Sequence, residues 1–225
     1  STEDFVTDAY EIATMIRRRN LEMAFTPGYL REVPYFEERV TKDGRPFYEV
    51  HSAIDFQSAT LLTTGIPLDL GIQGPGFFQV TDENGQKFFT RRGRFALSQE
   101  NELVLIDGDR QLWLTPKITI NRDDLAGITI SPTGHLSYES IEDSLDDADG
   151  TERILLVLPV SGWYLEVLAN GLFQLSPGHE KELLTIGPGE GAGTIRQGAL
   201  EVPRFDLDGE RSALMDLEQL TRSRN

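Results

Sequence analysis

His51, His135 and His179 are the only histidines in this chain of 225 residues, and metal ligation is the first chemistry they suggest. They stand too far apart for the HxxxH or HxxE spacing that places two ligands on one helix face, so a helix-borne metal site is not expected. Cysteine is absent, which excludes disulfides, thiolate catalysis and zinc sites built on cysteine. Glu139, Glu142, Asp143, Asp146, Asp147, Asp149 and Glu152 crowd into one stretch that could attract calcium. Their register is wrong for a helix-loop-helix calcium loop: with Asp149-Gly150 at positions five and six, Leu145 falls at one and Leu156 at twelve, where carboxylates are needed. A solvated acidic loop is the simpler reading. Gly187-Pro188-Gly189-Glu190-Gly191-Ala192-Gly193 offers a phosphate cradle in composition only. The following Thr194-Ile195-Arg196-Gln197-Gly198 reads as a strand where a cradle needs a helix amino terminus. A glycosidase-type carboxylate pair has raw material in 37 acidic residues, but nothing singles out which two would meet. With no nucleophile elbow, HExxH or P-loop, the chain is expected not to be an enzyme, and to take no cofactor, no metal and no small-molecule substrate.

The balance of charge narrows the partners. The 37 acidic side chains face 21 basic ones, for a net charge of −16. Duplex affinity is built on lysine and arginine contacts to phosphate, so nucleic acid is a poor partner for this chain. No run approaches the roughly 18 apolar residues of a membrane helix, and membrane insertion is not expected.

The elements that would position any site are mainly β. Phe77–Thr81 and Lys87–Thr90 flank Asp82-Glu83-Asn84-Gly85, and an Asn-Gly pair closes tight hairpins because both residues tolerate positive φ. Leu103–Ile106 and Gln111–Leu114 flank Asp107-Gly108-Asp109 in the same manner. Ile118–Ile120, Ile128–Ile130 and His135–Tyr138 alternate with period two and predict three further strands, while the run Ile154–Leu158 predicts a strand buried on both faces. Gly74-Pro75-Gly76 predicts a turn. At the amino end Phe5, Ala9, Ile12, Ala13, Met15 and Ile16 follow helical spacing, with Arg17-Arg18-Arg19 placed to complement the helix dipole. At the carboxyl end Asp208 is the expected cap of a helix whose Ala213, Leu214, Leu217 and Leu220 form an apolar stripe. The expected organisation is an amino-terminal helix at 1–22, an extended linker at 23–62, a β core at 63–200 with an outer sub-domain at 115–185, and the start of a carboxy-terminal assembly helix at 201–225.

The segment from Thr64-Gly65-Ile66-Pro67-Leu68-Asp69-Leu70 through Gly74-Pro75-Gly76-Phe77-Phe78-Gln79-Val80 closely resembles the TGxPLDLAIxGxGFFxV block of bacterial flagellar rod and hook proteins. Phe89-Thr90-Arg91-Arg92-Gly93-Arg94-Phe95 is similar to their YTRxGxF, and Gly193-Thr194-Ile195-Arg196-Gln197-Gly198-Ala199-Leu200-Glu201 to their GTxxQGxLE. Glu102-Leu103-Val104 stands at the spacing of their GxLV, and Ala169–Phe173 is a looser echo of GxNLF. Asp206-Leu207 resembles the start of their last helix. The chain departs from the pattern at Pro75, at Arg92 where an aspartate is usual, and at Glu201–Asp206. It also lacks the amino-terminal NNLANVNTTGFK signature, so a trimmed or divergent member is expected.

The resemblance implies a rod/hook-type β domain flanked by short terminal helices, and a structural subunit that polymerises with itself and with other flagellar rod, hook and ring proteins. It also implies a place in the periplasmic rod of the basal body, with export by a route that cleaves no signal peptide. Its motif residues are Gly65, Pro67, Leu68, Asp69, Leu70, Gly74, Gly76, Phe77, Phe78, Thr90, Arg91, Gly93, Phe95, Gln197, Gly198, Leu200 and Glu201, and Leu207, Leu214, Leu217 and Leu220 are its expected helix interface. Two rival readings remain open from sequence. One is a free-standing β-rich module that binds carbohydrate or a surface protein through Trp113 or Trp163-Tyr164. The other is a β-fold hydrolase with two carboxylates.

Overall fold

A computed structural model describes residues 2–57, 59–139, 152–159, 165–179 and 181–223. The acidic run 140–151 and Trp163-Tyr164 lie outside the described residues. The chain divides into two units, one of residues 1–25, 30–58 and 203–225, the other of residues 26–29 and 59–202.

The first unit holds both helices and one hairpin. Helix α1 (Thr2–Glu22) buries Ala9, Ala13 and Ile16, a face repeating at i, i+4 and i+7 whose two alanines let neighbouring backbones approach closely. Strands β1 (Arg31–Val40) and β2 (Pro46–Asp55) pair antiparallel along their whole length, from Arg31 opposite Asp55 to Val40 opposite Pro46. The stretch expected to be an extended linker is thus extended in backbone but paired, and its tip is closed by Thr41, whose N donates to Arg45 O at 2.8 Å. Helix α2 (Leu207–Arg222) is capped by Asp206, whose carboxylate accepts from the backbone N of Asp208 and Gly209. The expected cap, Asp208, instead sits in the first turn. Asp206 is the last residue with extended backbone, and from there its side chain reaches the free N–H groups of the first turn.

The second unit is built of short antiparallel strands. Its seven-stranded sheet comprises β5 (Phe78–Thr81), β6 (Lys87–Thr90), β7 (Phe95–Leu97), β8 (Leu103–Asp107), β9 (Arg110–Leu114), β13 (Leu165–Val167) and β14 (Leu172–Leu175), in the spatial order β13-β14-β6-β5-β9-β8-β7. Both expected hairpins form, as β5-β6 and β8-β9. At the first, Gly85 takes φ +81° and the Asp82 carboxylate accepts from the N–H groups of Asn84 and Gln86. Four two-stranded pairs complete the unit. β3 (Ala59–Thr63) pairs with β17 (Ala199–Pro203), β4 (Leu70–Gln73) with β16 (Thr194–Gln197), β10 (Ile128–Ile130) with β11 (Leu136–Tyr138), and β12 (Leu156–Pro159) with β15 (Leu183–Ile186). The apolar sides of these strands share one core that includes Leu70, Ile72, Phe78, Leu105, Leu112, Leu156 and Ile195.

One expected strand is not formed. Of Ile118–Ile120 only Thr119 pairs, in a single bridge to Glu102, although Ile118 and Ile120 are buried. Alternation here reports burial of every second side chain, which a single bridge achieves as well as a strand. The run expected as a strand over Ile154–Leu158 forms one in part: β12 begins only at Leu156, and Ile154, Leu156 and Val157 are at most 2% exposed while Leu155 and Leu158 are half-buried.

Candidate functional site

Arg91 follows β6 and is buried to 3% exposure, an expensive position for a guanidinium unless every donor is answered. Its Nε and Nη2 donate to the Glu201 carboxylate on β17 at 2.6 and 2.9 Å. Nη1 donates to the carbonyls of Gly74, at 2.6 Å, and Gly76, and Nη2 to Ile72 O at 3.1 Å. One side chain therefore gathers three separate motif blocks: β4 with its Gly74–Gly76 turn, the Thr90–Phe95 segment, and the Gln197–Glu201 segment. Glu201 in turn accepts, through its backbone O, from Gly28 N at 2.7 Å. The fork geometry and permanent charge of arginine suit this role, and lysine could not reproduce it.

The remaining motif residues extend the same frame. Asp69 is 1% exposed and paired with Arg94 at 3.3 Å, while its backbone O accepts from Gly198 N at 2.8 Å. Gly65 N donates to Gly198 O. Gln197 uses its whole amide: Nε2 donates to Pro67 O and Ile128 O, and Oε1 accepts from Ile130 N. Thr90 Oγ1 donates to Gly171 O and accepts from Arg92 N. Leu68, Leu70 and Leu200 are core residues. Phe77 meets Phe173 edge to face at 5.3 Å, and Phe78 meets Phe95 likewise at 5.2 Å. At Gly93 the backbone passes so close to β4 that a Cβ would stand 1.6 Å from Leu70 O. Gly93→Ala must push two backbones apart, and its expected cost is about 3 kcal/mol, read as a lowered urea midpoint in tryptophan fluorescence.

Arg92, which departs from the resemblance, has its own task. Its Nη1 donates to Asp107 Oδ1 at 3.0 Å and its Nη2 to Ile106 O at 2.8 Å, while Arg110 pairs with Asp107 Oδ2. Burial works against ionisation of Asp107, but the hydrogen bonds and charges of Arg110 and Arg92 outweigh it and hold the carboxyl below its ordinary 3.8. A depressed pKa means that the stabilisation is complete above the ordinary value and is lost as the pH falls through the folded one. Asp107→Asn is expected to be less stable than wild type at neutral pH, and the gap should close as urea midpoints are followed from about pH 5 to about pH 2.

The first unit holds a second polar centre, which the sequence did not disclose. Glu210 on α2 is 1% exposed. Its carboxylate accepts from Arg17 Nη1 at 3.0 Å, Arg31 Nε at 3.0 Å and Asn20 Nδ2 at 2.7 Å. Glu32 on β1, 3% exposed, accepts from Arg19 and from Ser52 Oγ, and its backbone N and O are both bonded by the Asn20 amide. Arg17, Arg18 and Arg19 thus do more than offset a helix dipole: they pair with Glu210, Glu218 and Glu32 respectively. Only the triple arginine hinted at this, because nothing local tells a buried glutamate from a solvated one. The expected interface residues Leu207, Leu214 and Leu217 are half-buried, and Leu220 is 42% exposed. Near them Met215 and, on α1, Met15 are each 68% exposed.

Among the described residues the buried carboxylates are Glu32, Asp69, Asp107, Glu201 and Glu210, and an arginine engages each of them. Carboxylates held this way bind the frame together and are poorly placed to donate or collect a substrate proton. Trp113 is half-buried, with Lys117 Nζ 5.4 Å from its ring centre.

Residues 71–138 match the D1 domain of the flagellar hook proteins FlgE/F/G. The chain is 29% identical over 157 residues to the flagellar basal-body rod protein FlgG of Borreliella burgdorferi, covering 69% of this chain and 57% of that protein. It is 28% identical over 164 residues to FlgG of Caulobacter vibrioides, covering 72% and 60%. Against the flagellar hook protein FlgE of Rhizobium meliloti it is 31% identical over 140 residues, covering 56% and 34%. The chain spans less than two thirds of the length of each of these relatives.

Proposed function

We propose that this relative of the flagellar rod and hook proteins, whose residues 71–138 match their D1 domain, is a structural subunit of the flagellum, placed in the basal-body rod. In this reading it assembles with copies of itself, and with other rod, hook and ring proteins, into a helical tube in the periplasm that passes torque to the hook. Open helical polymers need heterologous contacts that do not close into a ring.

The observation that carries the reading is the convergence on Arg91. Arg91 stands in one of the three blocks of sequence that resemble rod and hook proteins, and its buried guanidinium bonds to the other two, back to Ile72 and Gly74 and across 110 positions to Glu201. Such a centre fixes shape, which is what a building block must supply to its neighbours. Leu207, Leu214, Leu217 and Leu220 are the proposed assembly face, with Met15 and Met215 adding exposed apolar surface to the same unit. A net charge of −16 would limit unspecific adhesion to other acidic surfaces.

The test is an epitope-tagged chain expressed in its own host, followed by purification of basal bodies and electron microscopy with antibody labelling. Label on the rod supports the reading. A chain absent from basal bodies, and monomeric at every concentration in sedimentation, would sink it.

A further inference from the structure

The register of the β1-β2 hairpin sets Glu37 directly opposite Glu49 and Tyr35 directly opposite His51. Alternation along each strand then places all four side chains on one face. Two carboxylates facing each other across a ladder repel, so this face needs a cation. Arg39 supplies one, with Nη2 3.1 Å from Glu37 Oε2 and Nε 3.1 Å from Glu49 Oε2, from a side chain that is about half exposed.

His51 turns the arrangement into more than an ion pair. Its Nε2 lies 3.2 Å from Glu37 Oε2 and 3.5 Å from Glu49 Oε2. That nitrogen is shielded from solvent and, despite the short approaches, makes no hydrogen bond of acceptable angle. The ring is held in place by Tyr35, stacked at 5.5 Å with an interplanar angle of 29°. The ligand atoms of Glu37, Glu49 and His51 all fall within 4.8 Å of one another.

We propose that Glu37, Glu49 and His51 form a binding site for a zinc-like dication on the face of the β1-β2 hairpin. Zinc bonds of about 2.0–2.1 Å to nitrogen and oxygen in a tetrahedron put neighbouring ligand atoms about 3.3 Å apart. The two approaches of His51 Nε2 bracket that value. Coordination through Nε2 requires the ring proton on Nδ1, and it gives the unpaired nitrogen the partner it lacks. Two carboxylates balance the dication, so Arg39 leaves the face for solvent when the metal binds. One imidazole with two carboxylates suits zinc better than magnesium or calcium, which prefer oxygen throughout. The fourth position is left to water. The metal would tie β1 to β2 in the exposed part of the ladder towards its tip. This site does not depend on the flagellar reading.

The test is calorimetric titration of the whole chain with zinc chloride, with magnesium as control, combined with nitrogen NMR of the histidine rings. Expected are tighter binding of zinc than magnesium and a large shift of the His51 Nε2 resonance that leaves His135 and His179 behind. His51→Ala and Glu37→Gln should each weaken binding about tenfold or more, and Arg39→Gln should tighten it. Far-UV circular dichroism checks that the variants fold. Zinc affinity undiminished in His51→Ala, or a wild-type His51 resonance unmoved by zinc, would overturn the proposal. The NMR result stands even if a variant misfolds.

Discussion

Arg91→Ala should lower the stability of the β-rich unit by about 3–5 kcal/mol, the range for removing one partner of a buried ion pair. The loss has two parts. Glu201, 5% exposed, keeps its charge with no cation beside it. The carbonyls of Ile72, Gly74 and Gly76 lose the donors that Arg91 gave them, and at the buried Ile72 and Gly76 each orphaned acceptor adds its own desolvation cost, while Gly74 is exposed and can turn to water. Both tryptophans, Trp113 and Trp163, lie within residues 59–202, so fluorescence in a urea titration reads this unit. The double change Arg91→Met with Glu201→Leu should cost less than Arg91→Ala alone, because no lone charge is left, but it should fall short of wild type because the buried carbonyls of Ile72 and Gly76 stay unanswered. A single Arg91→Ala change within about 1 kcal/mol of wild type would show that water enters and takes over the role of the guanidinium.

Glu210→Ala should cost the helical unit a comparable amount, about 3–5 kcal/mol. The carboxylate stands among Arg17, Arg31 and Asn20, so its removal leaves two guanidinium groups near each other with no common anion. Both helices, α1 and α2, belong to this unit, so ellipticity at 222 nm reports it. Glu210→Gln keeps the shape and one acceptor oxygen but not the charge, and it should fall between wild type and alanine. Loss of Glu218, whose partner Arg18 is 57% exposed, should be the milder change, since water can replace that contact. Equal effects at Glu210 and Glu218 would contradict this assignment of the polar centre.

The same contrast explains how much was legible beforehand. The hairpins around Asn84-Gly85 and Gly108 were readable because a turn is decided within a few residues, by which side chains tolerate positive φ or cap the free N–H groups. The two terminal helices were readable because their apolar spacing is local. The strand expected at Ile118–Ile120 failed because alternation records which side chains are buried and says nothing of whether a partner backbone runs alongside. The hairpin at 31–55 lies within the stretch 23–62 expected as an extended linker: much of its face is exposed, so it lacks the apolar alternation that announces a strand, yet its ladder is complete. Histidine spacing along the chain does not disclose Glu37, Glu49 and His51 as neighbours, because strand register is what sets them on one sheet face.

By itself the amino-acid sequence determined the class of the protein: mainly β between two helices, without cysteine, strongly acidic, and carrying blocks similar to those of rod and hook proteins. Each of these follows from composition or from patterns shorter than about twenty residues, over which backbone preference and side-chain periodicity act directly. Only the tertiary structure decided which charges meet. Arg91 and Glu201 are 110 positions apart, and Arg17 and Glu210 are 193 apart. An ion pair is selected by the path of the whole chain and by the loss of water around it. Neither is written in the local pattern that makes an arginine or a glutamate look, in sequence, like any other surface charge.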